Sequence, residues 1–183
     1  PTGCHKVGAS FGCLAPRLVT GQFDADYHHA VWPSTGNYCR GGAFNSKLLA
    51  VDSVAILPAE MSKERFDWLS KIAGQVIATP GCESNVKEIF DKTWELKQDP
   101  SMMIFNQFAE MGNPLWHYNV TGYALAELFE AIKKPGQNFA GACFTSGSAG
   151  TMSAGDLLKE RYPHLKLAVG EALQCPTILD NGF

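Results

Sequence analysis

Residues 54–79 read VAILPAEMSKERFDWLSKIAGQVIAT, and this stretch indicates the fold class of the chain. The apolar runs at 54–58 and 75–79 are short and rich in β-branched residues, as strands are. Between them, residues 63–72 carry apolar side chains at helical spacing, and Ser62 stands where a helix N-cap belongs. A strand, a helix and a second strand in this order predict a β-α-β unit with parallel strands.

The same alternation continues along the rest of the chain. Further strands are predicted at 29–33, 102–105, 139–145 and 166–170, and further helices at 39–50, 84–96, 115–132 and 150–162. Proline and glycine mark the joins between these segments. The pattern predicts an α/β fold with doubly wound parallel sheets that have helices on both faces. Ligands of such sheets bind in the loops at the carboxyl ends of the strands, so the chemistry is expected there.

The composition narrows the functional class. The chain has 183 residues, of which 45% are hydrophobic and 18% are charged, and its formal net charge is −3. These values are typical of a globular domain long enough to bury a core, and they predict no nucleic-acid partner. The apolar runs are strand-sized, which predicts no membrane partner. The six cysteines include no C-x-x-C pair, so we expect reduced thiols, no metal site and a cytoplasmic protein.

The N-terminal stretch PTGCHK (1–6) places Lys6 at the start of a predicted helix, after the turn dipeptide Pro1-Thr2 and Gly3. A helix N-terminus carries partial positive charge, so a cation is disfavoured there and the pKa of Lys6 is expected to be low. A neutral lysine amine is a nucleophile that bonds to aldehydes. The alternative is a surface lysine that follows a turn.

Two loops after predicted strands have the composition of anion sites. Residues 34–37 (Ser34-Thr35-Gly36-Asn37) follow the strand at 29–33 and open a helix. Three polar side chains and a glycine are more than one helix cap needs, and they predict a carboxylate site. The second loop follows the strand at 139–145 and consists of Gly147, Ser148, Ala149, Gly150 and Thr151. Its small and hydroxylic residues predict a phosphate site, although it has neither the P-loop nor the Rossmann spacing.

A third loop places Asn106 and Gln107 after the strand at 102–105, where side-chain amides are also compatible with simple solvation of a loop. Taken together, a lysine of low pKa, a phosphate cradle and a carboxylate clamp indicate pyridoxal 5'-phosphate (PLP) as cofactor. This cofactor has an aldehyde for the lysine and a phosphate for the cradle, and its amino-acid substrate brings a carboxylate.

These motifs resemble the cysteine synthase and cystathionine β-synthase family, the fold-type-II PLP enzymes of the tryptophan synthase β superfamily. PTGCHK resembles the lysine stretch of the family, residues 34–39 resemble its Thr-Ser-Gly-Asn-Thr-Gly loop, and 147–151 resemble its Gly-Thr-Gly-Gly-Thr phosphate loop. Gln107-Phe108 matches a Gln-Phe pair of the family. The stretches EMSKERFDWL (60–69), IATPG (77–81) and NPLWHYNVTG (113–122) also resemble family stretches, so the resemblance runs nearly end to end.

The resemblance implies a role for each of these residues. Lys6 would be the catalytic lysine that carries PLP covalently, Asn37 would bond the ring oxygen of the cofactor, and 147–151 would hold its phosphate. The substrate carboxylate would be held by Ser34, Thr35, Gly36, Asn37, the backbone of Tyr38, and Gln107. The implied activity is β-replacement or β-elimination on a β-substituted L-amino acid, with Lys6 removing the Cα proton. The family also implies a homodimer.

Three departures from the family pattern stand out. Tyr38 and Cys39 replace a threonine and a glycine, which predicts an altered substrate side, and Ala149 replaces a glycine of the phosphate loop, which predicts a narrower cradle.

The resemblance also implies a partial catalytic domain. Residues 34–135 would form the small substrate-side subdomain, and 1–33 with 136–183 would form parts of the larger cofactor-side subdomain. Two alternatives stay open: a non-catalytic or truncated family member, and a nucleotide-binding oxidoreductase that uses the loop 147–151.

Overall fold

The structure is a computed structural model that describes residues 2–82, 85–173 and 178–179. Its internal contacts divide the chain into two compact units, Pro1–Gly112 and Asn113–Phe183. The sequence analysis places subdomain boundaries near residues 34 and 135, by resemblance to the family, and that assignment stays a prediction. The two units are described in turn.

The first unit contains a parallel sheet of four strands. Its elements are α1 (Lys6–Val19), β1 (His29–Pro33), α2 (Asn37–Leu48), β2 (Ser53–Pro58), α3 (Lys63–Leu69), β3 (Gln75–Thr79), α4 (Val86–Leu96) and β4 (Met102–Ile104). The strand order is β3-β2-β1-β4, with every neighbouring pair parallel. The β-α-β unit predicted from residues 54–79 is confirmed as β2, α3 and β3.

Helices cover both faces of this sheet. Side chains of a strand alternate between the two faces, so Trp32 and its neighbour Val31 belong to different clusters of the core. Trp32 packs in the cluster that also holds Leu14 of α1, whereas Val31 packs in the cluster that holds Ile89 of α4. The predicted doubly wound arrangement is therefore confirmed for the first unit.

The second unit contains two parallel strands. Its elements are α5 (Gly112–Trp116), which begins at the unit boundary, a π-helical segment (His117–Gly122), α6 (Tyr123–Ile132), β5 (Gly141–Thr145), α7 (Met152–Arg161) and β6 (Lys166–Gly170). Strands β5 and β6 pair from Gly141 with Lys166 to Thr145 with Gly170. The core of this unit is centred on Ala126, Leu158 and Leu165.

One local prediction is wrong and one is confirmed. The single helix expected at 115–132 is divided by the π-helical segment, in which Nδ1 of His117 and Oγ1 of Thr121 lie 2.9 Å apart. A Cβ at Gly122 would stand 2.7 Å from Cδ2 of Leu157, so this segment packs closely on α7, a contact that helical periodicity does not reveal. Ser62 does occupy the N-cap of α3, but its side chain makes no capping hydrogen bond.

The predicted helix at 84–96 begins at residue 84, which lies outside the described residues, and α4 is described from Val86 onwards. Within the described ranges, no helix combines the length and the apolar character that a membrane crossing requires.

Candidate functional site

Lys6 is the first residue of α1. The chain enters this helix through a turn in which Oγ1 of Thr2 donates to the carbonyl of Cys4 at 3.2 Å. Gly3 lies inside that turn with a φ of +64°, a conformation that costs glycine little. The pKa of Lys6 is lowered chiefly by burial, while nearby Cys13 and Cys4 raise it in part. Burial, rather than the helix terminus alone, therefore favours the neutral amine.

Tyr38 connects Lys6 to the core. The centroid of its ring lies 6.0 Å from Nζ of Lys6, and the ring meets Trp32 edge-on with centroids 5.3 Å apart. The Tyr38 hydroxyl donates to Sγ of Cys13 at 3.5 Å. Burial raises the pKa of Tyr38 and raises that of Cys39 to about 12. Both side chains belong to the core, since Tyr38 is 1% exposed and Cys39 is 0% exposed.

The loop 34–37 joins β1 to the N-terminus of α2. The Ser34 amide donates to the carbonyl of Ile56 at 3.0 Å, which anchors the loop to the sheet. The Gly36 amide donates to Oγ of Ser34 at 3.1 Å, so the Ser34 hydroxyl can itself donate to a ligand. Asn37 is the first residue of α2, a helix of 12 residues without an acidic side chain in its first turn. A carboxylate at this loop would therefore meet a hydroxyl donor and the positive end of the helix, with no acidic side chain in the first turn of α2.

Arg65 of α3 lies against this loop and was missed by the sequence analysis. Its Nη1 donates to the carbonyl of Thr35 at 3.4 Å, and a Cβ at Gly36 would stand 2.8 Å from the same nitrogen. Among the described residues, no acidic side chain forms a salt bridge with Arg65. Its charge therefore adds to the positive potential at the loop. The available signal was the family-like stretch EMSKERFDWL, which contains Arg65.

Gln107 lies in the loop that follows β4. Strand β4 pairs with β1, with Ile104 opposite Val31, and the Phe105 amide donates to the carbonyl of Val31 at 2.9 Å. The carboxyl ends of neighbouring parallel strands meet at one edge of a sheet, so the loops after β1 and β4 are neighbours. Oδ1 of Asn106 accepts from the Phe108 amide at 3.1 Å, which gives Asn106 a role in the turn itself.

The first unit therefore brings several predicted site residues together. Sγ of Cys4 donates to the Asn37 carbonyl at 3.4 Å and so links the turn before Lys6 to the start of α2. Lys6, the loop 34–37 and the backbone of Tyr38 lie around this link, and Gln107 follows the neighbouring strand. Their roles towards a cofactor or a substrate stay predictions.

The predicted phosphate loop lies in the second unit, between β5 and α7. Thr151 occupies the N-cap of α7, a helix of ten residues, and its Oγ1 donates to the carbonyl of Thr145 at 3.3 Å. Ala149 has a φ of +60°, which is unusual for a residue with a side chain. A Cβ at Gly147 would meet no atom within 4 Å, so there is open space at this position. A loop without acidic groups at a helix N-terminus fits a phosphate.

Asn113 holds this loop in place, and the sequence analysis did not single it out. Its Nδ2 donates to Oγ of Ser148 at 2.9 Å, and a Cβ at Gly150 would stand 2.2 Å from its Oδ1. Oγ of Ser153 donates to the carbonyl of Gly150 at 2.7 Å from the other side. Asn113 opens the family-like stretch NPLWHYNVTG, which was the only signal in the sequence.

No metal site accompanies these loops in the part of the chain that the structure describes. Within it, no three His, Cys, Asp or Glu side chains are grouped so that they could hold a metal ion. Among the described cysteines, Cys4, Cys13, Cys39 and Cys143 are free thiols.

No family model matches the chain. Curated proteins do match: a probable cysteine synthase of Bacillus subtilis is 32% identical over 148 residues, which cover 80% of this chain and 46% of that protein. The cystathionine beta-synthase of Apis mellifera is 30% identical over 139 residues, which cover 74% of this chain and 26% of that protein. The chain spans about half the length of the curated cysteine synthases that it matches.

Solved structures match over the whole chain. A hydrogen sulfide-producing enzyme of Fusobacterium nucleatum has a TM-score of 0.83 at 22% identity, and the match covers 100% of this chain and 58% of that one. At this identity the likeness concerns the fold, and it confirms the predicted fold class.

Proposed function

This chain belongs to the cysteine synthase and cystathionine β-synthase family, and we propose that it forms part of a PLP-dependent enzyme acting on a β-substituted L-amino acid. The observation that carries the proposal is Lys6. Its amine is partly buried, its pKa is lowered, and it lies next to a loop that can receive a carboxylate. Those are the properties that a lysine needs as a nucleophile and as a base.

The residues of the candidate site fit the cofactor by their chemistry. Lys6 would hold its aldehyde carbon covalently, Asn37 would bond its ring oxygen, and the loop 147–151 would hold its phosphate. The α7 N-terminus supports the last assignment, because its peptide N–H groups favour an anion. When bound, the cofactor supplies a ring that draws electrons from the substrate Cα and so makes the Cα proton more acidic.

The carboxylate of the substrate would bind to the loop 34–37, with Gln107 as a further contact. Ser34 and Thr35 would donate through their hydroxyls, and Arg65 would add its positive charge from behind the loop. Fixing the carboxylate orients the Cα–H bond towards Lys6, and such pre-positioning removes part of the entropic barrier. Once the substrate amine has taken its place on the aldehyde carbon, the freed and neutral Lys6 Nζ would accept the Cα proton. Departure of the β-substituent and addition of a thiol completes a β-replacement, whereas release without addition is a β-elimination.

Covalent trapping tests this proposal. The protein is incubated with PLP, its visible absorption is recorded, and it is then reduced with borohydride and digested for mass spectrometry. We expect an absorption band from bound cofactor and a stable label on the Lys6 peptide. Lys6→Ala should lose both, and Lys63→Ala, which removes an exposed lysine of α3, should keep both. Labelling spread evenly over exposed lysines, or none at all, would refute the proposal and favour a non-catalytic family member.

Two further properties belong to the proposal. The free thiols among the described residues support a reducing compartment, and we place the protein in the cytoplasm. The family resemblance supports a homodimer. Light scattering of the purified protein measures the second, and a monomeric mass at micromolar concentration would exclude it.

A further inference from the structure

One stripe of α2 touches the segment that carries Lys6. The stripe consists of Asn37, Gly41 and Asn45, which follow one another at intervals of four residues and so lie on one side of the helix. The Asn37 carbonyl accepts from Sγ of Cys4 at 3.4 Å. A Cβ at Gly41 would stand 2.6 Å from the carbonyl oxygen of Lys6, so the two helices meet backbone to backbone there.

Asn45 completes the stripe with two hydrogen bonds into the first turn of α1. Its Nδ2 donates to the carbonyl of Val7 at 2.7 Å and to Oγ of Ser10 at 2.8 Å. Oγ of Ser10 in turn donates to the carbonyl of Lys6 at 2.8 Å. Asn45 is 1% exposed and Ser10 is 0% exposed, so this network is shielded from water. Buried networks whose members are paired hold their groups rigidly.

We propose that Asn45 and Ser10 are positioning residues, which fix the backbone of Lys6 against α2 and thereby hold its amine next to the loop 34–37. The inference rests on the proposed role of Lys6 as the lysine of the reaction. The helix that begins with Asn37 is thus hydrogen-bonded to, and packed against, the first turn of α1, from which Lys6 extends. A long, flexible side chain keeps a defined position only if its backbone is fixed, and a small misplacement of a reacting group lowers the rate steeply.

The position of the amine can be measured without cofactor, through its titration. The groups that face it are His5 and Cys4 before the helix, Cys13 two turns further along the same side of α1, and the Tyr38 ring on α2. Burial is the largest cause of its lowered pKa. If the hydrogen bonds of Asn45 and Ser10 to α1 are lost, water reaches the amine and the pKa of Lys6 returns towards its ordinary value.

The experiment follows the pH dependence of Lys6 modification by trinitrobenzenesulfonate in cofactor-free protein, with the Lys6 peptide quantified by mass spectrometry. In Asn45→Ala we expect the midpoint to rise by about half a pH unit or more, because the amine becomes hydrated. Ser10→Ala removes the hydroxyl that joins Asn45 to the Lys6 carbonyl but leaves the hydrogen bond from Asn45 to the Val7 carbonyl, so it should shift the midpoint in the same direction by less. It also provides the test if Asn45→Ala does not fold.

Ser46→Ala is the matched control. Ser46 is the next residue on α2, it is equally buried, and its Oγ accepts from Nε1 of Trp32 at 3.0 Å, away from α1. Removing it leaves a buried donor without its partner and lowers stability in general. A merely structural role for Asn45 predicts the same midpoint in Asn45→Ala, Ser46→Ala and the parent protein, and that result would overturn the proposal.

The experiments distinguish a failure of the positioning role from a failure of the proposed function. A parent protein in which PLP labels Lys6, but whose variants show no shift, overturns the positioning role alone. A parent protein that is not labelled at Lys6 overturns the proposed function, and with it the catalytic role of these hydrogen bonds.

Discussion

Gly41 of α2 lies directly against the backbone of Lys6, so closely that a Cβ at Gly41 would stand 2.6 Å from the Lys6 carbonyl oxygen and 2.8 Å from the Val7 nitrogen. Backbone atoms cannot move aside as the end of a long side chain can. The approach of α1 to α2 therefore depends on a residue without a side chain at this position. This contact brings the candidate lysine close to the loop that precedes α2.

Gly41→Ala tests this contact through the sign of the change in the free energy of unfolding. Helix propensity alone would stabilise the protein by about 1 kcal/mol, because alanine is favoured over glycine inside a helix. Overpacking against the Lys6 backbone should instead cost about 1–3 kcal/mol, so we expect a net loss in the free energy of unfolding by urea. Gly147→Ala, where a Cβ meets nothing within 4 Å, should stay within about 0.5 kcal/mol of the parent. A more stable Gly41→Ala protein would contradict the close approach.

Ala149 is strained in the predicted phosphate loop. Its φ of +60° is left-handed, and Ala50 shares this feature with a φ of +55°. Such a conformation costs an L-residue about 1–2 kcal/mol. Substitution by glycine removes this strain, but part of the stabilisation is offset because glycine makes the unfolded chain more flexible. We expect Ala149→Gly and Ala50→Gly each to raise the free energy of unfolding by about 0.5–1 kcal/mol.

The control for these two variants is Ala131→Gly. Ala131 lies exposed in the last turn of α6, where glycine should lower stability by up to about 1 kcal/mol. Equal destabilisation by all three substitutions, measured by urea unfolding, would show that the left-handed positions carry no strain.

The pair of Arg17 and Glu110 should make stability depend on pH. Nη2 of Arg17 lies 2.9 and 3.0 Å from the two carboxylate oxygens of Glu110. Burial raises the pKa of Glu110, and Arg17 lowers it in part. Because the folded pKa lies above the unfolded one, Glu110 favours the folded state most at low pH, and this contribution is lost as pH rises through the folded pKa.

Removal of the arginine enlarges that effect. In Arg17→Gln, the Glu110 carboxylate stays buried without its cation, so we expect a loss of about 2 kcal/mol at pH 7, less than for a fully buried pair because Arg17 is partly exposed. The loss should shrink towards pH 4, where the carboxyl group is protonated. Urea unfolding at several pH values measures it, and in a Glu110→Gln background the loss caused by Arg17→Gln should be nearly independent of pH. A loss that is the same at pH 4 and pH 7 would disprove this account.

The thiols should differ in reactivity. Cys143 is exposed, whereas burial raises the pKa of Cys13 to about 11 and that of Cys39 to about 12. The thiolate is the reactive form, so iodoacetamide at pH 8 should label Cys143 first and leave Cys13 and Cys39 nearly unlabelled in the folded protein. Peptide mass spectrometry over time measures the order, and labelling in urea controls for the intrinsic reactivity of each peptide. Rapid labelling of Cys39 in the folded state would show that α2 does not bury it as described.

Much of the fold was accessible from local patterns. The strands at 29–33, 75–79 and 166–170 are found with the predicted bounds, because short apolar runs and the turn residues that flank them are encoded within a few residues. The predicted family is confirmed by the curated relatives. The π-helical division of the helix at 115–132 was not accessible, since it accompanies packing of Gly122 on α7, more than 30 residues away.

The candidate site was accessible in part. The lysine and the two anion loops can be recognised in the sequence by their residue types and by their positions after a strand or before a helix. Asn45, Arg65 and Asn113 cannot be recognised in this way, because their hydrogen-bond partners lie in segments that are distant in sequence. The location of the Tyr38 and Cys39 side chains in the core was likewise not predicted.

The sequence by itself determined the α/β class, the order of the elements, the family and the identity of the candidate lysine and loops. Each of these follows from periodicity or from motifs that span a few residues. The tertiary structure alone decided that β4 pairs with β1, that burial lowers the pKa of Lys6, and that α2 grips the turn that carries it. The physical reason is that desolvation and hydrogen bonds between distant segments, such as that from Asn45 to Val7, exist only once the chain has folded.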